Sequence, residues 1–207
     1  MNTTTVCREI AAAGALIASY PLDWIARQGE SLLGEGRSEP VILAHGLGGS
    51  RANFLALATY LRMAGFDKIV YFEYPRWQRV SESAAQLGAV ADDIGKGRGV
   101  HLIGHSLGGT IARRYAIDAR PGAVRSLVTL GSPYSLAQAS PRELAIFGDE
   151  DPIVPPPTIP PEGSAAFERV VILKHTGHLA LIYHPEALRL AATELRANRA
   201  SADRAAA

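Results

Sequence analysis

The stretch Val100–Asp118, "VHLIGHSLGGTIARRYAID", decides how the rest of the chain is read. It opens as a short apolar run of the kind that forms a strand covered on both faces, and it closes with the spacing of a helix. Between the two lies Gly104-His105-Ser106-Leu107-Gly108, a G-x-S-x-G. A strand that turns at once into a helix strains its corner residue and crowds its neighbours. Glycines two before and two after relieve that crowding, and the serine hydroxyl is left exposed at the top of a sheet. The helix that starts there points its first amides toward any negative charge that develops. The strand before and the helix after separate this pattern from a serine in an ordinary tight turn.

Outward from this stretch the same alternation repeats. Strand-like runs occur at Val41–Ala44, Lys68–Tyr71, Gly99–Ile103, Val124–Leu130, Leu144–Phe147 and Val170–Leu173. Helical spacing fills Asn53–Ala64, Ser81–Ile94 and Ser106–Ala119, and a last helix runs from Leu179 to about Arg196. Alternating strands and helices predict an α/β fold, with a mainly parallel sheet of about six strands and helices on both faces. "DPIVPPPTIPPEG", residues 151–163, is too stiff and too poor in donors for a helix or a central strand, and reads as a loop.

A chain of 207 residues has room for one domain with a substantial core. Hydrophobic residues at 47% and charged residues at 20% make a globular balance. The formal net charge of +1, with the arginines scattered, gives no reason to expect a nucleic-acid partner. Cys7 is the single cysteine, so there is no internal disulfide framework. The expected organisation is an N-terminal helical arm over residues 1–36, a catalytic domain over 37–197 and a frayed tail over 198–207. Within the arm, the apolar run Ile10–Leu22 is short for a membrane span of about 20 residues. Its only preceding basic residue, Arg8, is followed by Glu9, which suits a signal peptide poorly. A packed arm, with residues 22–33 ("LDWIARQGESLL") as a second amphipathic helix, is favoured over export or membrane contact, and a cytoplasmic location is the expectation.

In a parallel sheet, ligands bind beyond the carboxyl ends of the strands. There the chain places "AHGLGGS" (44–50), "GHSLGG" (104–109), "GSPY" (131–134), "GDEDP" (148–152) and "HTGH" (175–178). A serine hydroxyl needs a base to become a nucleophile. Of six histidines, His101 reads as sheet packing, His105 as a structural part of the elbow, and His45 as a brace for the Gly46 loop. His184 falls in the last helix. His178, after Gly177 and before a helical run, is favoured as base over His175. The carboxylate that orients the base comes from Asp149, Glu150 or Asp151. Asp151, held by Pro152 and followed by Ile153-Val154, is preferred, with Asp149 next. The order Ser…Asp…His belongs to one hydrolase fold and not to the other serine-protease arrangements. Two amides must hold an oxyanion, and Leu107 and Leu47 are chosen for that.

With these residues in view, the chain resembles the α/β-hydrolase family, and more narrowly the small lidless bacterial triacylglycerol lipases and esterases. The segments that carry the resemblance are "VILAHGLGGSRANF", "GVHLIGHSLGGTIARRYA", "SLVTLGSPY", "GDEDPIVPP" and "HTGHLALIYHPEAL", in the family's order from Pro40 to Arg196. The resemblance implies an α/β-hydrolase fold without a cap domain. It implies Ser106 as nucleophile, Asp151 as acid, His178 as base, and Leu47 and Leu107 as oxyanion donors. His45, Gly46, Gly104, His105 and Gly108 would support them. Fewer than ten residues separate "LGSPY" from "ELAIFG", where larger relatives insert a helical cap. Gly104 stands where many members of the small lipase group have alanine, and the arm from Met1 to about Glu39 has no counterpart in the match.

The expected activity is hydrolysis of carboxylic esters, small-molecule or lipid, through an acyl-enzyme on Ser106, with no metal or cofactor. Lipid-surface contact is compatible with it, and the motifs carry no information on oligomeric state. A thioesterase, amidase or acyltransferase with the same triad is the alternative, since the triad sets the intermediate and not the leaving group. A non-catalytic scaffold whose arm binds a partner is the reading from another class.

Overall fold

Six short runs rich in valine, isoleucine and leucine pair into one sheet, because most of them are apolar on both faces and must be covered on both. The structure, a computed structural model, describes residues 1–19, 39–134, 143–158 and 169–205. The strands are β1 (Val41–Ala44), β2 (Ile69–Phe72), β3 (Val100–His105), β4 (Val124–Leu130), β5 (Glu143–Gly148) and β6 (Val170–Leu173). All neighbours are parallel, in the order β2-β1-β3-β4-β5-β6. The sheet is therefore the expected one, with β3 at Val100–His105 reaching two residues further than anticipated. From β1 the chain moves outward to β2 and then returns to the other side of β1 for β3. Connections leave β1 and β3 in opposite directions and open a crevice at their carboxyl ends.

Successive strand residues face opposite layers. Val41, Leu43, Ile103, Val128 and Ile146 pack on one side with Leu57 and Leu61 of α2 (Leu55–Met63) and Ala191 and Leu195 of α5 (Pro185–Ala205). Ile42, Ala44, Leu102 and Leu127 pack on the other with Leu87 and Ala91 of α3 (Val80–Gly95) and Ile111 and Ala112 of α4 (Leu107–Asp118). A buried ion pair ties the second layer to the sheet. Arg113 of α4 donates to both oxygens of Glu143 at 2.8 and 2.7 Å, Thr129 donates to the same carboxylate at 2.6 Å, and Arg113 also holds the Pro133 carbonyl. No connection between the described strands is long enough for a cap domain.

The final helix departs from the expectation. Leu179 does not begin it; Ala180–Tyr183 form a 3-10 turn, His184 is extended (φ −70°, ψ 121°), and α5 starts at Pro185. The residue before a proline is driven out of the helical region, and proline suits a first helical turn. The helix then runs to Ala205, through the stretch expected to fray, where alanine and arginine favour helix. At the other end α1 (Thr3–Ser19) forms, with Asn2 as its N-cap accepting the Thr5 N–H at 2.9 Å. The second arm helix expected over 22–33 lies outside the described residues. Among the described residues no helix is long and apolar enough to cross a membrane.

Candidate active site

Ser106 stands between β3 and α4, at the N-cap of the helix, with φ 53° and ψ −122°. This conformation costs a non-glycine residue roughly 1–3 kcal/mol and persists only where the surroundings enforce it. The surroundings here are backbone. A Cβ on Gly104 would lie 2.4 Å from the Gly109 Cα, and one on Gly108 would lie 2.1 Å from the Ala44 carbonyl oxygen. Both elbow glycines are needed for α4 to leave β3 so abruptly and press on the end of β1. The Ser106 amide donates to the Leu130 carbonyl at 2.9 Å, which anchors the corner to β4. Its side chain is half-buried and lines a cavity of about 420 Å³ together with His178, Gly46 and Leu47.

The structure brings Asp151 and His178 together. His178 Nδ1 donates to Asp151 Oδ2 at 2.7 Å, and both side chains are buried. Asp151 Oδ1 accepts the amides of Ile153 and Val154 at 2.8 Å each, so Pro152 sits in a turn that holds the carboxylate by its other oxygen. The competing residues are turned elsewhere. Asp149 faces Lys174 at 3.5 Å and the Thr176 amide at 3.4 Å. Glu150 faces Asn2 and His175, and His175 is 56% exposed.

His105 does more than complete the elbow. Its Nε2 donates to the His178 carbonyl at 3.2 Å, and the two rings stand 4.7 Å apart. Burial, with the His178 imidazole alongside, pushes the His105 imidazole down to about 3, so it serves as a neutral donor. His45 is bonded and stacked within its own loop region. Its Nδ1 bonds the Gly46 carbonyl at 2.9 Å, and its ring stacks on Tyr74, whose hydroxyl donates to the His45 carbonyl at 2.5 Å. Burial raises the Tyr74 phenol above its usual value and keeps it a donor. Gly46 lies against the elbow, since a Cβ there would come within 3.0 Å of the Ser106 Cβ and of His105 Nδ1. The loop carrying Leu47 is thereby set beside Ser106. Leu107, the first residue of α4, is the neighbour on the other side.

Other histidines take structural places. His101 is fully buried, with Nδ1 3.0 Å from the Ser126 hydroxyl and Nε2 3.1 Å from Glu39. His184 precedes α5 and accepts the Glu186 amide at 3.2 Å. Among the described residues, no three His, Cys, Asp or Glu side chains are grouped to hold a metal ion.

Sequence reasoning missed Gly131. It has φ 52°, and a Cβ there would lie 3.2 Å from both Asp151 Oδ2 and His178 Nδ1. "GSPY" marks a strand end, but nothing in it announces that Gly131 packs against the Asp151–His178 contact. Nor does the sequence announce that Arg113, nearly two turns into α4, secures the carbonyl of Pro133, two residues after Gly131.

A family model for the alpha/beta hydrolase fold matches residues 79–147. No curated protein sequence matches the chain. Among solved structures, an alpha/beta hydrolase from the metagenome of lagoon sediments at Mar Chica, Morocco, is 24% identical, with a TM-score of 0.60 over 79% of this chain and 93% of its own. A membrane phospholipase A, a bacterial virulence factor, is 17% identical, with a TM-score of 0.60 over 94% of this chain and 97% of its own. A thermophilic esterase from Thermogutta terrifontis is 17% identical, with a TM-score of 0.58 over 79% and 92%. The sheet order, the serine at the end of β3, the matched model and these neighbours make the chain a protein of the alpha/beta hydrolase fold, similar in architecture to esterases and lipases.

Proposed function

We propose that the chain is a serine hydrolase of carboxylic esters, working through an acyl-enzyme on Ser106. The observation that carries this reading is that His178, bonded at 2.7 Å to the buried Asp151, lines the same cavity as a serine held at φ 53°. His178 takes the Ser106 proton through Nε2 as the hydroxyl attacks the ester carbonyl, while its Nδ1–H stays on Asp151. The amides of Leu47 and Leu107 hold the tetrahedral oxyanion; loss of one such donor costs about a hundredfold to a thousandfold. The alcohol departs with the proton from His178, and water activated by the same imidazole clears the acyl group. His105 supports the cycle by fixing the His178 carbonyl without carrying charge itself.

The substrate is an ester with an apolar acyl chain. The cavity is lined by Leu16, Leu47, Phe54, Ile153, Leu179 and Ile182. Leu47 and Ile153 remain 67% and 65% exposed at its mouth, which suits an ester arriving from a lipid phase. The resemblance in fold to a membrane phospholipase A and to an esterase is in keeping with that class.

Hydrolysis of p-nitrophenyl esters from acetate to palmitate, wild type beside Ser106→Ala, tests the reading, together with labelling by a fluorophosphonate. Turnover and labelling that both vanish in the variant are the expected result. Wild-type protein inert across the series and unlabelled would refute it.

A further inference from the structure

Helix α1 is tied to the loops that carry Asp151 and His178, and three of its polar residues do the tying. Asn2, the N-cap, donates from Nδ2 to Glu150 Oε1 at 2.7 Å and lies 2.6 Å from His175 Nδ1. Arg8 donates to the His175 carbonyl at 2.7 Å. Glu9 reaches furthest in. Its Oε2 accepts the Leu179 N–H at 3.0 Å and its Oε1 accepts the Ala180 N–H at 2.7 Å. Those two amides follow His178 directly.

The residue before His178 is shaped to the same carboxylate. A Cβ on Gly177 would stand 2.6 Å from both Glu9 Cδ and Cγ. Gly177 is not among the glycines with positive φ, so close approach and not chain conformation demands glycine there. Glu9 therefore meets the backbone on both sides of the histidine.

Apolar burial does not explain this docking. The inward positions of α1 are Thr5, Glu9, Ala12, Ala13 and Leu16, whereas Val6, Ile10 and Ile17 are left 40%, 67% and 69% exposed. A helix packed for its greasy face would turn its isoleucines inward; this one turns a carboxylate to two backbone donors. Leu16, two turns further on, lines the cavity that holds Ser106.

On the reading of Ser106, His178 and Asp151 as a catalytic triad, we infer that Glu9 is a positioning residue, whose carboxylate clamps Leu179 and Ala180 and so sets the placement of His178 over Ser106. It touches neither substrate nor reacting atoms. It acts through the loop, and it makes α1 a working part of the hydrolase site.

The test uses the full chain and p-nitrophenyl butyrate, with Glu9→Ala, Glu9→Gln, Gly177→Ala and the double variant Glu9→Ala/Gly177→Ala. The kcat is expressed per Ser106 titrated to completion with a fluorophosphonate, so that misfolded protein is not counted. Glu9→Ala is expected to lower kcat about ten- to a hundredfold, with KM within about twofold of wild type. Glu9→Gln, which retains one carbonyl acceptor, loses less. Gly177→Ala loses about as much as Glu9→Ala, because its methyl displaces the carboxylate. In the double variant that methyl has room, so it adds less than about a twofold further loss. Should Glu9→Ala fail to fold, Glu9→Gln and Gly177→Ala carry the test. The inference is overturned if the Glu9 variants keep kcat within about twofold of an active wild type, or if the losses from Glu9→Ala and Gly177→Ala multiply in the double variant. A wild type that neither turns over nor labels overturns the triad reading instead.

Discussion

Replacing Asp151 by asparagine keeps the shape of the side chain and removes only its charge and one acceptor, which makes the outcome calculable. In the native protein Oδ1 accepts two amides at 2.8 Å, and Oδ2 accepts the His178 Nδ1–H at 2.7 Å. An asparagine that keeps its carbonyl on Ile153 and Val154 retains both backbone bonds. Its NH2 then donates to His178 Nδ1, which forces the imidazole proton onto Nε2, where the ring no longer takes a proton from Ser106. The opposite orientation presents the carbonyl to His178 but aims the NH2 at two N–H donors. Losing those two bonds and leaving the amides unsatisfied costs about 2–5 kcal/mol, so the productive orientation is populated at roughly one part in thirty to one in several thousand. Loss of the negative charge beside the developing imidazolium deepens the deficit. The expected result is a fall in kcat of about a thousandfold to ten-thousandfold, with a Tm change under about 4 °C because both backbone bonds survive. Steady-state hydrolysis of p-nitrophenyl butyrate and a thermal melt measure the two quantities. Asp149→Asn is the companion variant, expected within a few-fold of wild type because Asp149 faces Lys174 and the Thr176 amide. An Asp151→Asn protein that keeps more than a tenth of wild-type kcat, or an Asp149→Asn protein that loses as much, would refute the assignment.

Gly131→Ala should lower kcat about tenfold or more and reduce Tm, because its methyl would meet Leu181 at 2.9 Å and crowd the Asp151–His178 bond at 3.2 Å from a backbone at φ 52°; unchanged kinetics would contradict the close packing of that contact. Stability should fall with pH through His105. Its unfolded imidazole titrates near 6.5 and its folded one at about 3, so between those values the unfolded chain binds more protons, and stability present above about pH 6.5 is lost toward pH 3 at up to about 1.4 kcal/mol per pH unit. Denaturant midpoints at pH 7 and pH 5 measure it, and the slope should flatten in His105→Gln; an equal slope in that variant would assign the effect to another group. Ile153→Ser should reduce kcat/KM for octanoate more than for acetate, by up to about fourfold per methylene no longer shielded at the cavity mouth; equal losses on both esters would place the acyl chain elsewhere.

Much of this protein was legible in one dimension because the determining constraints are local. Continuous apolar runs dictated most of the six strands, since a strand covered on both faces rarely shows polar alternation. The spacing of Gly104, Ser106 and Gly108 dictated the strained elbow, because only glycine tolerates the Gly109 and Ala44 backbones at just over 2 Å from where a Cβ would stand. Even the break at His184 is written in Pro185, although the helical spacing runs on through it. The remaining questions turned on distances between residues far apart in the chain. Asp149, Glu150 and Asp151 are chemically interchangeable as residue types, and only the path of the loop after β5 decides that Asp151 meets His178 while its neighbours face Lys174 and Asn2. His105 sits beside Ser106 in sequence, yet its work is to hold a carbonyl seventy-three residues away. Gly177 reads as a boundary glycine until Glu9, on a helix with no counterpart in the family motifs, arrives beneath it. Residue type and spacing determine what the backbone does within a few positions; which donors meet which acceptors across the crevice is decided by packing, and that exists only once the sheet has formed.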